Sequence, residues 1–111
     1  MDWRQLEQRI ARWEDLHTEF KTWPVHNDDA ATLVAFANTD GGQFILGVDD
    51  AGQVVGVADP DAAAQRVDQI AYNNCEPPLT VVQDTVTGDS GAVLLVVNVP
   101  QGDQRPYRTN R

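Results

Sequence analysis

Residues 92–99, AVLLVVNV, constrain the fold more than any other stretch, because seven of these eight side chains are apolar. A strand with one wet face alternates apolar and polar residues, whereas one that stays apolar on both faces belongs in the middle of a sheet. The preceding TVVQDTV at 80–86 is joined to it by TGDSG, and the two read as a hairpin with the apolar strand inside. A sheet with such a strand needs helices packed on it.

The chain supplies them. Trp3, Leu6, Ile10 and Trp13 recur at steps of three, four and three, which predicts a first helix with both tryptophans on its inward stripe and Asp2 as N-cap. LHTEFKTW at 16–23 alternates Leu16, Thr18 and Phe20 with His17, Glu19 and Lys21, the period of a strand with one wet face, and Pro24 closes it. Asn27 or Asp28 is the expected cap of a second helix in which Leu33, Val34, Phe36 and Ala37 face inward, and Gly41 and Gly42 end it. QFILGV then reads as a largely buried strand, DDAG as a turn and QVVGV as the returning strand of a hairpin. DPDAAAQRVDQIAY comes next as a helix capped by Asp59, with Pro60 in its first turn, and CEPPL breaks it. The sum is one α+β domain over residues 1–111, a mixed sheet packed with helices. The tail QGDQRPYRTNR has no apolar period and reads as an edge segment.

Charge narrows the partners. Seventeen acids against eight bases give a formal net charge of −9, which argues against a generic polyanion binder. The distribution is uneven, because residues 28–103 hold 12 acids and one base, Arg66. The other bases lie toward the ends: Arg4, Arg9, Arg12 and Lys21, then Arg105, Arg108 and Arg111. If the ends meet in space, they form a basic strip on an acidic body. No stretch approaches the roughly 20 apolar residues of a membrane span, and the first residues lack a signal-peptide core, so a cytoplasmic protein without a membrane partner is expected. The single Cys75 reads as a small buried apolar residue.

Three strings, EDLHTEFK from Glu14 to Lys21, AFANTDGGQFILGVDDAGQVVGV from Ala35 to Val57 and VVNVPQGDQRPY from Val96 to Tyr107, together resemble the Schlafen AlbA-like domain. That domain occurs in bacterial and archaeal regulators and as paired lobes in animal Schlafens. The resemblance implies an α+β fold, DNA or structured RNA as partner, and, in some Schlafens, divalent-metal-dependent cleavage of structured RNA. In the nucleolytic members three acids and a lysine form the site, and the motif carries these roles to Glu14, Glu19, Asp50 and Lys21. Three carboxylates suit Mg²⁺ or Mn²⁺, and a lysine neutralises charge gathering on a phosphate. Relatives usually continue past RPY into another strand. The chain is therefore expected to be truncated before its last strand, with an open sheet edge that a homodimer would cover.

Plainer roles stand beside these. Asp49 and Asp50 precede AG and are common turn formers, Glu14 suits a solvated helix residue, and Glu19 with Lys21 suits a surface ion pair. His17 alternates with Glu19 and is a base or ligand only as a minority reading, and no third histidine accompanies His26 to make a zinc site. Gly41 and Gly42 come after a helix, with no Gly-Lys-Ser or Gly-Lys-Thr behind them, which excludes a P-loop. Asn38 and Thr39 cap or turn the chain, and Trp23 is the tryptophan free to stack on a base. The leading expectation is a DNA-binding module of a prokaryotic transcriptional regulator that contacts phosphates through Arg4, Arg9, Arg12, Lys21, Arg105, Arg108 and Arg111. The alternatives are a metal-dependent endoribonuclease built on Glu14, Glu19, Lys21 and Asp50, with Glu14, Glu19 and Asp50 as metal ligands, and a protein interaction or oligomerisation module.

Overall fold

A computed structural model describes residues 1–110. The apolar run lies where its composition requires. β5 (Val93–Val99) sits between β2 (Gly42–Leu46) and β4 (Val82–Thr87) in a four-stranded sheet of order β1-β2-β5-β4, with β1 (Thr18–Lys21) at the far edge. β1 runs parallel to β2, and the other two pairings are antiparallel. Alternate residues of β5 feed opposite faces. Leu94 and Val96 join Ile45, Phe20 and Val86 beneath Leu6 and Ile10 of α1 (Trp3–Ala11). Leu95, Val97 and Val99 join Phe44 and Leu46 beneath Leu33 and Phe36 of α2 (Ala30–Asn38) and Val67 and Ile70 of α3 (Pro60–Asn73). The fold is α+β, with helices on both faces of a mixed sheet.

The helix starts obey local chemistry. Asp2 Oδ1 accepts from Gln5 N–H at 2.8 Å while Gln5 Oε1 accepts from Asp2 N–H at 3.0 Å, a reciprocal cap for α1. Asp59 Oδ1 accepts from Ala62 N–H at 3.0 Å, and Pro60 opens α3. The second helix differs from expectation. A 3₁₀ turn at Asn27–Asp29 precedes α2, and Asp29, not Asn27 or Asp28, makes the local side-chain bond, accepting from His26 N–H at 2.8 Å.

Three further expectations are corrected. α1 ends at Ala11, and Trp13 takes a φ of 70°, so its side chain leaves the helical stripe. Trp13 is 46% exposed and meets the core only edge-on at Phe20, with ring centroids 5.9 Å apart. QVVGV is not a ladder strand; one bridge, Val48 to Val54, survives, because Gly47 and Gly56 both have positive φ and Gly47 C=O takes both Val55 and Gly56 N–H groups. The tail is docked despite its lack of period. Tyr107 is buried among α2 and α3, Asn38 Nδ2 donates to its carbonyl at 2.9 Å and Asn38 Oδ1 accepts its N–H at 2.6 Å. β6 (Arg108–Thr109) then pairs with β3 (Cys75–Glu76). α1 packs on one sheet face and Tyr107 on the other, so the terminal bases are divided between two sides. Among the described residues no helix is long and apolar enough to cross a membrane.

Candidate functional site

The site expected from the sequence centres on β1. His17 C=O accepts from Gln43 N–H and Lys21 C=O from Gly47 N–H, both at 2.8 Å, so the backbone groups of residues 17 and 21 face β2. By alternation, those of Thr18 and Phe20 face the outer edge. That edge is closed locally. Thr18 exchanges two backbone bonds with Asp15, at 3.2 and 3.3 Å, and Phe20 N–H donates to Glu14 Oε2 at 2.7 Å. Thr18 and Phe20 send their side chains toward α1; Glu19 points the other way, into a groove of about 580 Å³ floored by Ala31, Thr32, Ala35 and Phe36.

Through its bond to Phe20 N–H, Glu14 lies over the edge, close enough to Glu19 for the two carboxyl groups to act on each other. Burial raises the Glu19 pKa first, the neighbouring Glu14 carboxyl adds to this, and Asp29 adds further, while Lys21 opposes. Between the ordinary glutamate range and the raised value, the folded chain holds a proton that the unfolded chain has released, so this group's contribution to stability falls as pH rises through that window. Glu19→Gln is therefore expected to leave the melting temperature at pH 7 unchanged or raised, and to flatten its decline with pH above the carboxylate range. Thermal melts of both proteins across pH check it; a lower melting temperature for Glu19→Gln at every pH counts against it.

The remaining members of the expected set differ: Lys21 acts on Glu19, whereas Asp50 is not among the groups that do. Lys21 Nζ is 3.7 Å from Asp29 Oδ1, so the lysine is engaged by an acid of the 3₁₀ turn. Asp49 is a turn former, its Oδ1 accepting from Ala51 N–H at 2.9 Å and Gln53 N–H at 2.8 Å. Asp50 sits exposed at the tip of that turn, with no hydrogen bond or ion pair among the described residues. The acids that act on Glu19 are thus Glu14 and Asp29. Sequence reasoning missed Asp29; its only signal was an acidic residue shortly after the strand, with nothing to say that the 3₁₀ turn folds it back. Among the described residues no three His, Cys, Asp or Glu side chains form a metal-holding group. Glu14 and Glu19 are brought together, and Asp50 does not complete a ligand set with them for Mg²⁺ or Mn²⁺.

The bases fare unequally. Arg9 is nearly buried and fixed, its Nε donating to Thr18 Oγ1 and its Nη2 to Asp15 Oδ2, both at 2.9 Å. Asp15 is held below the usual carboxylate range chiefly by the His17 N–H it accepts, with Arg9 a lesser cause. Arg108 pairs with Glu76 at 3.2 Å. Arg4, Arg12 and Arg105 are exposed and make no ion pair among the described residues. Arg111 lies outside the described residues. His17 Nδ1 approaches Gly41 C=O at 3.2 Å, His26 is exposed, and Trp23 is 40% exposed. Cys75 is buried, which pushes its thiol pKa up to about 11.

No curated protein matches the chain. Among solved structures, the N-terminal domain of a RecG-related protein from Nitrosomonas europaea, determined by solution NMR, superposes with a TM-score of 0.77 at 25% identity, over 100% of this chain and 82% of that one. The DIP2311 protein from Corynebacterium diphtheriae has the same fold in part, with a TM-score of 0.54 at 20% identity, over 90% of this chain and 26% of that one. The segments that build the β1 edge, the glycine pair and the Tyr107 dock all fall within residues 14–111, which match the family model described as Schlafen, AlbA_2: the chain belongs to the Schlafen AlbA_2 family.

Proposed function

We propose that the chain is a nucleic-acid-associated module of a prokaryotic regulatory protein, touching phosphates through Arg4 and Arg12 on or beside α1, with Arg105 on the opposite face as a second point of contact. The observation that carries this reading is the likeness, over the whole chain, to the N-terminal domain of a protein described as related to the ATP-dependent DNA helicase RecG. Family membership supports it. The exposure of the three arginines supports it too, because a guanidinium without an acid partner is free to take a phosphate. Arg9, Lys21 and Arg108 are already bonded to acids, so they contribute less than their number suggests.

The reading is tested by titrating duplex DNA and a structured RNA with the chain, by fluorescence anisotropy, across salt concentrations. With two to three phosphate contacts, log K is expected to fall against log salt with a slope of about −2 to −3. Absent or salt-independent binding to both at low salt removes the reading and favours the interaction module, which the net charge of −9 supports. The endoribonuclease reading draws on one contact, the approach of Glu14 to Glu19, and no catalytic step is assigned to it.

A further inference from the structure

The two outer edges of the sheet are treated differently. On β1 the outward N–H groups of Thr18 and Phe20 and the Thr18 carbonyl all have partners. On β4 the opposite holds. Gly88 N–H donates to Ala92 C=O at 2.8 Å across the hairpin, so by antiparallel alternation Val82, Asp84 and Val86 turn their backbone groups to β5. Gln83, Thr85 and Thr87 turn theirs outward, and among the described residues none of these outward groups has a hydrogen-bond partner. The strand is held firmly in this pose. Gln83 Nε2 donates to Ala64 C=O at 3.0 Å and to Asp68 Oδ1 at 2.9 Å, which fastens β4 to α3, and Val86 is buried under α1.

An exposed row of unpaired donors and acceptors is a template for another strand. Its surroundings specify which. Asp84 is exposed on the strand, on the face it shares with Val82 and the buried Val86, and Asp89 occupies the turn after it; Asp68 is on the other face, bonded to Gln83. A second copy is a poor match, since it brings another net charge of −9 to an acidic edge. We propose that the outer edge of β4 accepts an extended segment of a partner protein in which apolar residues alternate with Lys or Arg, so that its backbone completes the ladder and its cations, all on one face of the sheet, lie on the face that carries Asp84.

The test uses the whole chain, a short peptide alternating Val and Lys, and a Val/Glu peptide of the same length. Amide hydrogen exchange is measured residue by residue. With the Val/Lys peptide at about ten times its Kd, exchange at Gln83, Thr85 and Thr87 is expected to slow about tenfold, with no change at Thr18–Lys21. Asp84→Lys, an exposed position that the fold tolerates, is expected to weaken binding of the Val/Lys peptide about two- to fivefold. Three results overturn the proposal: no slowing at those three amides, equal slowing with the Val/Glu peptide, or slowing that grows with chain concentration in the absence of peptide, which makes a second copy the occupant.

Discussion

Gly41→Ala is expected to lower the melting temperature by roughly 10–20 °C, a loss of about 2–4 kcal/mol. Two causes combine. Gly41 has a φ of 87°, which an L side chain resists, and an added Cβ stands 2.7 Å from Val99 C=O and 3.1 Å from Gln101 N, both backbone atoms that cannot rotate away. The turn from α2 into β2 fixes this conformation, because Gly41 N–H must donate back to Phe36 C=O, at 2.9 Å, as the chain reverses. Gly42 is constrained differently, since its Cβ would lie 2.5 Å from the buried Phe36 ring. Thermal unfolding monitored by circular dichroism checks both substitutions, and a shift of less than about 3 °C for Gly41→Ala contradicts the account. The glycine pair is therefore explained by the fold and needs no bound phosphate.

The second large effect is at the tail. Tyr107→Ala is expected to cost about 3 kcal/mol, because it removes a buried ring from the core cluster beneath α2 and α3, whereas Tyr107→Phe should cost only about 1 kcal/mol through the bond its hydroxyl accepts from Gln104 N–H. Asn38→Ala strips partners from both the N–H and C=O of Tyr107 and should fall between the two. Urea unfolding ranks the three. If Tyr107→Ala unfolds at the wild-type midpoint, residues 101–110 contribute nothing to the core, and the docking of β6 on β3 has no energetic weight.

Where the sequence was legible, the signal was local or compositional. AVLLVVNV announced an interior strand, and Asp2 and Asp59 announced helix starts through the bond each makes three residues on. It failed where a residue's surroundings come from elsewhere in the chain. The stripe through Trp3, Leu6 and Ile10 continues arithmetically to Trp13, but periodicity does not say where helical backbone stops. The tail carries its burial on one residue, and a single tyrosine has no period. Within the site, strand alternation correctly separated Glu19 and Lys21 from Phe20. The pairing of Glu14 with Glu19 came through the family resemblance, while the engagement of Lys21 by Asp29 and of Arg9 by Asp15 depends on turns whose direction no local rule supplies. The same turns divide the bases into those bonded to acids and those left open, a sorting that net charge conceals.

That sorting is what the proposed function depends on, and one comparison tests it most directly: the salt dependence of nucleic-acid binding by the wild type and by the double variant Arg4→Ala, Arg12→Ala. Both residues are exposed on or beside α1 and support no part of the core, so the variant should fold and melt like the wild type. If their guanidinium groups each neutralise a phosphate, the slope of log K against log salt becomes shallower by about 2, and binding weakens evenly across unrelated sequences. An unchanged slope in a folded double variant contradicts the account and moves the contact surface away from α1.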